Sequence, residues 1–193
     1  MPTNILYIHG FNSSPQSTKA LQTQQYFKEY WPNVEVFVPD VAVSPNQAIA
    51  LLTDIILSNQ SNDWCLMGSS LGGFFATHLA EKFKLPAVLI NPAIKPDELL
   101  AEYIGEQINP YSGKVLTVTE AHMHELKQLR VHEIVEKSRY YLLTQTGDEI
   151  LDYRQGVALF AGCQQFIHQG GDHSFVGYQQ YLAKIAEFCL QQP

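Results

Sequence analysis

The stretch WCLMGSSLGGFFAT, residues 64–77, carries an apolar run into a glycine, two serines, a leucine and two more glycines, then turns apolar again. Trp64 to Met67 has the length and composition of a buried strand, and Leu71 to Phe83 has helical spacing. At the seam, Gly68-Ser69-Ser70-Leu71-Gly72 fits the pattern G-x-S-x-G in the strand-to-helix setting which that pattern requires. So tight a turn puts its central residue into a strained backbone conformation, and only residues without a Cβ fit beside it. Ser69 competes for the central place, but only Ser70 has a glycine two residues away on each side.

Working outward, short apolar runs recur at Ile5 to Ile8, Val34 to Val38, Ala87 to Ile90, Tyr140 to Thr144 and Gln165 to His168. Helix candidates lie between them at Asn46 to Leu57 and Asp152 to Phe160, and a stripe of Tyr178, Tyr181, Leu182, Ile185 and Cys189 closes the chain. Strands alternating with helices predict an α/β fold, a compact and mostly parallel sheet of about six strands with helices on both faces. Ligands in such sheets gather at the carboxyl ends of the strands. With 193 residues, 46% of them hydrophobic, the chain fills one core and is expected to form a single domain over 1–193. Residues 93–135 break the alternation. They show no clear strand but short helical patterns around Asp97 to Tyr103 and Glu120 to Leu129, and they read as a small helical lid inserted above the sheet's carboxyl edge.

The net charge of −7 argues against nucleic acid or an anionic membrane surface as a partner, since either needs a basic patch. No segment approaches the roughly 20 apolar residues of a membrane span. The first residues lack the basic leader and small-residue cleavage site of a signal peptide. Cys65, Cys163 and Cys189 are an odd set beside apolar runs, which fits reduced, mostly buried thiols and a cytoplasmic location.

A serine hydroxyl becomes a useful nucleophile when a histidine takes its proton and a carboxylate holds that histidine in one tautomer. Of seven histidines, only His173, in QGGDHSF (169–175), follows the last strand in a glycine-rich loop. The acid belongs after the preceding strand, where YYLLTQTGDEILDY (140–153) offers Asp148 first, with Glu149 and Asp152 as alternatives. The helix after Ser70 aims the Leu71 N–H at a developing oxyanion. A second donor is expected from the Phe11 N–H after the first strand, with Gly10 giving the sharp turn. Phe11 and Phe175 adjoin these loops and are the expected pocket wall, while Phe74, Phe75 and Tyr111 read as core or wall. His122 and His124, two apart on a helix, point in different directions and, with His132, fit solvated or lid-packing roles better than a metal site. His9 is expected to shape the oxyanion loop, His78 to pack, and Asp172 to tune the base or cap its loop; Asp40 has no evident partner.

Taken together, YIHGFNSSP (7–15), GSSLGG (68–73), INP (90–92), TQTGDEILDY (144–153) and GGDHSF (170–175) make the chain resemble the YqiA-like esterases, small bacterial α/β hydrolases. The resemblance covers nearly the whole length. It implies an α/β-hydrolase fold without its usual first two antiparallel strands, a triad of Ser70, Asp148 and His173, and no metal or organic cofactor. It also implies cleavage of small acyl esters, including acyl thioesters such as acyl-CoA. The HGGG form of the oxyanion loop is absent, and His9-Gly10-Phe11 stands in its place. The expectation is therefore a serine hydrolase working through an acyl-enzyme. The competing readings are a peptidase or acyltransferase with the same residues, or a non-catalytic binding domain.

Overall fold

The structure, a computed structural model, describes residues 4–41, 43–58 and 64–191. In chain order its elements are β1 (Asn4–Ile8), α1 (Thr18–Tyr30), β2 (Glu35–Phe37), α2 (Pro45–Ser58), β3 (Trp64–Ser70), α3 (Leu71–Phe83), β4 (Ala87–Pro92) and α4 (Pro96–Leu99). There follow β5 (Gly105–Ile108), β6 (Val115–Val118), α5 (Glu120–Gln128), β7 (Tyr140–Gln145), α6 (Tyr153–Leu159), β8 (Gln164–His168) and α7 (Leu182–Gln191). Single 3₁₀ turns occupy Leu100–Tyr103, Lys137–Arg139 and Tyr178–Tyr181.

Among the described residues six strands form one sheet in the order β2-β1-β3-β4-β7-β8, and every pairing in it is parallel. The four central strands read as apolar runs because both faces are covered, and the alternation of side chains sorts them into two layers. Leu6, Ile8, Leu66, Leu89 and Leu142 point toward α2, α3 and Phe160 at the end of α6. Ile5, Tyr7, Cys65, Met67, Val88, Ile90, Tyr141 and Leu143 point the other way, onto Ala20 and Phe27 of α1 and Leu182, Ile185 and Cys189 of α7. Each fully buried Leu or Ile contributes about 1.5–3 kcal/mol, so these two layers are the bulk of what holds the sheet. Among the described residues no helix is long and apolar enough to cross a membrane.

The sheet winds outward in opposite directions from β1 and β3: β2 lies beyond one, β4, β7 and β8 beyond the other. The connections that leave the carboxyl ends of β1 and β3 therefore part to opposite faces, α1 packing on one layer and α3 on the other, which opens a crevice between the loop after β1 and the end of β3. The segment 93–135 departs from the expectation of helices alone. β5 and β6 pair as an antiparallel hairpin, with Glu106 opposite Thr117 and Ile108 opposite Val115. Each strand is only four residues long, and Gly105-Glu-Gln-Ile has no β-branched or aromatic residue before its last position, so its period-2 signal was too short to read. Asn109 fastens the hairpin, its Nδ2 donating to the Ser13 carbonyl at 2.9 Å. Arg130 ties α4 to the end of α5 through Asp97 and, at 2.9 Å, Glu98.

Candidate active site

Ser70 ends β3 with φ 56° and ψ −122°, in the left-handed half of the map where a residue with a Cβ is strained by roughly 1–3 kcal/mol. The neighbouring glycines make the conformation possible. A Cβ on Gly68 would collide with the Gly72 carbonyl, and one on Gly72 with the Ile8 carbonyl at the end of β1. Gly10 has a different reason from the sharp turn expected of it. Its φ is not positive, but a Cβ there would sit 3.1 Å from the Ser70 Cβ, so it is glycine because the β1 loop passes against the elbow.

Ser70 Oγ lies 3.1 Å from His173 Nε2, and His173 Nδ1 lies 3.0 and 2.9 Å from the two oxygens of Asp148. An ionised carboxylate only accepts, so Nδ1 carries the proton and the Nε2 lone pair faces the hydroxyl. The Asp148 side chain is 1% exposed and that of His173 25%, which buries the carboxylate while leaving the imidazole open to solute. Asp148 Oδ1 also accepts the Ile150 and Leu151 N–H groups at 2.9 and 2.8 Å, which aims the carboxylate. The other carboxylates of this loop face elsewhere. Glu149 accepts the backbone N–H of His173 at 3.0 Å, and Asp152 caps α6 and pairs with Arg154. Ser69 is buried beside Tyr7.

The Leu71 N–H is the first of α3 and has no intrahelical acceptor. The Phe11 N–H likewise has no acceptor among the described residues. His9 shapes this loop as expected: its Nδ1–H donates to the Gly10 carbonyl at 3.0 Å and its Nε2 accepts the Val41 N–H at 3.2 Å. That double role requires the neutral ring, and burial lowers its pKa from the ordinary 6.5, against smaller raising effects of the Gly10 carbonyl and of Asp40. Burial also lowers His78, whose Nδ1 meets the Leu129 carbonyl at 3.1 Å. Below about pH 6.5 the unfolded chain binds protons that these two folded rings refuse, so stability falls as pH drops through that window. Thermal unfolding followed from about pH 7.5 to 5.5 should show Tm falling as the pH falls, and His9→Gln should flatten the slope.

His122 caps α5 in a reciprocal bond with Thr119, and Asp40 has His9 at 3.9 Å and Lys114 at 3.8 Å. Asp172 accepts the Ser174 hydroxyl and so braces the loop that carries His173.

Two residues of this site were not singled out from the sequence. Asn91, with φ 40° at the end of β4, donates to the Asp172 carbonyl at 3.1 Å and accepts the Gln145 N–H at 2.9 Å. The Gln145 side chain, fully buried, donates to the Val176 carbonyl and accepts the Asp172 and Val176 N–H groups. These two amides hold both sides of the His173 loop against the sheet. The signal was present: each is a polar side chain directly after an apolar strand run.

Two cavities among the described residues share the wall Gly10 to Ser13, one reaching Ser70 and the other its neighbour Leu71. The smaller, about 320 Å³, is lined by Val41, Leu71, Phe75 and Leu116 among others. The larger, about 610 Å³, contains Ser70 and His173. Phe11 faces both cavities, while Phe175 faces the larger one yet is 2% exposed and packs edge-on to Tyr178 and Tyr181. The hairpin tip covers both, with Pro110 and Tyr111 over the larger and Ser112 and Lys114 over the smaller.

The model of the uncharacterised protein family UPF0227 matches residues 4–190. The chain belongs to that family. The YqiA-like resemblance in the sequence is thereby borne out for the chain as a UPF0227 member. Solved structures share the architecture at low identity. Est1E from Butyrivibrio proteoclasticus, solved with ferulic acid bound, superposes with a TM-score of 0.74 at 15% identity, covering 100% of this chain and 89% of its own. Mouse alpha/beta hydrolase domain-containing protein 10 gives 0.73 at 17%, with 95% and 88% covered. A monoacylglycerol lipase from Paleococcus ferrophilus gives 0.69 at 15%, with 98% and 95% covered. The fold of this UPF0227 chain is the α/β-hydrolase fold.

Proposed function

We propose that the protein is a serine hydrolase that cleaves small carboxylic esters or thioesters through an acyl-enzyme. The observation that carries this reading is the unbroken line from Ser70 Oγ through both nitrogens of His173 to the buried Asp148, with links of 3.1 and 2.9 Å, on a strained elbow. A binding domain has no use for that strain and that line together. Ser70 Oγ attacks the carbonyl carbon while its proton passes to His173 Nε2. The oxyanion forms against the Leu71 and Phe11 N–H groups, in line with donors worth about 100- to 1000-fold each in such sites. The bond to the leaving group breaks as His173 returns the proton to the leaving oxygen or sulfur, and a water molecule then repeats the sequence to free the acid. Asp148 keeps the ring in one tautomer and stabilises the imidazolium.

His173 lines the larger cavity and not the smaller, so the leaving group occupies the larger, where the proton is delivered. The acyl chain takes the smaller, against Leu71, Phe75 and Leu116. The segment 93–135 serves as a cover to both. Incubation with a fluorophosphonate tests the proposal: one label per chain, mapped to the peptide holding Ser70 and absent in Ser70→Ala, is expected. An unlabelled wild-type protein, or equal labelling of the variant, would overturn it.

A further inference from the structure

The larger cavity has an unusual charge. The chain holds 19 acidic against 12 basic residues, yet among the described residues the wall of this cavity includes no Asp or Glu and one Lys. Lys19, in the first turn of α1, donates from Nζ to the Ser174 carbonyl at 2.8 Å, so its ammonium is held one residue from His173 instead of extending into water. Two of its three N–H donors remain, and no carboxylate of the described residues pairs with it. Burial works against the ammonium, and the more distant Asp172 and Asp148 offset this only in part. Gln22 and Gln179, bonded to each other at 3.4 Å, add amide donors to the same wall.

We propose that Lys19 is a specificity-determining residue that binds a carboxylate or phosphate carried by the leaving group of the substrate. This rests on the hydrolase reading above, which sends the leaving group into this cavity. A docked anion would satisfy the free donors and supply the counter-charge that the cavity wall lacks. A charge-assisted bond of this kind, about 1.5–3 kcal/mol, corresponds to about 10- to 100-fold in preference. Lys19 also bridges to the loop of His173, and that role alone would affect all substrates alike.

Three butyrate esters separate the two roles: those of 4-methylphenol, 4-hydroxyphenylacetate and 4-hydroxybenzylphosphonate. The wild-type protein is expected to favour at least one anionic ester over the neutral one by about 10-fold or more in kcat/KM, with the larger preference telling carboxylate from phosphate. Lys19→Met should bring the ratio near one whatever happens to the absolute rates, and Lys19→Arg should keep most of it. A parallel fall of all three esters in Lys19→Met, or a wild-type preference for the neutral ester, would overturn the proposal. Calorimetric binding of the free 4-hydroxyphenylacetate and 4-hydroxybenzylphosphonate, with 4-methylphenol as control, needs no turnover. Anion binding that Lys19→Met abolishes supports the subsite even if no ester is cleaved, a result that would sink the hydrolase reading alone; anion binding indifferent to Lys19→Met sinks the subsite.

Discussion

Ser70→Ala is expected to lower kcat/KM for p-nitrophenyl butyrate by about 10⁴-fold or more, with Tm within a few degrees of wild type. The rate effect follows from chemistry that no neighbour supplies. Ser69 is buried beside Tyr7, so among the described residues no second hydroxyl bonds His173 Nε2. What survives is water attack helped by the backbone donors and by binding, which in serine hydrolases leaves a small residue of the full acceleration. The stability should hold because alanine keeps the Cβ and changes neither the φ of 56° nor the glycines around it. Activity assays beside a thermal melt read both halves. A fall of less than about 10-fold would remove Ser70 from the chemistry.

Asp148→Asn should cost about 10⁴-fold in kcat with the fold intact. The new amide oxygen continues to accept the Ile150 and Leu151 N–H groups, which turns the new NH₂ toward His173 Nδ1. A donor there forces Nδ1 to accept and puts the proton on Nε2, where it blocks removal of the Ser70 proton. Glu149→Gln and Asp152→Asn make the contrast. The glutamine of the first can still accept the His173 backbone N–H and the asparagine of the second can still cap α6, so each variant should stay within about 10-fold of wild type. If Glu149→Gln fell as far as Asp148→Asn, the acid would have been assigned to the wrong carboxylate.

Much of this arrangement was legible in the sequence for physical reasons. A parallel strand covered on both faces must be apolar throughout, so Ile5–Ile8 and Tyr140–Thr144 announced themselves. The elbow was legible because its glycines are imposed by backbone packing that tolerates no other residue, as the collisions at Gly68 and Gly72 make plain. His173 and the carboxylate loop followed from chain order, and the sequence left Asp148, Glu149 and Asp152 open because a one-residue shift in a turn decides which side chain points inward. The hairpin of β5 and β6 escaped notice, since four-residue strands carry too few alternations to register. Asn91, Gln145 and Lys19 escaped for another reason. Each matters through a partner between 31 and 155 positions away along the chain: the polar step after an apolar run marks the places of Asn91 and Gln145, but no local pattern names the partners.

The acyl-enzyme itself gives the most direct test. Mixing the protein with p-nitrophenyl butyrate, quenching in acid within milliseconds and weighing the peptides should yield a burst of about one p-nitrophenol per chain and a butyryl group on the peptide bearing Ser70. Turnover without a burst, and with no acyl group on Ser70 at any quench time, would contradict the account.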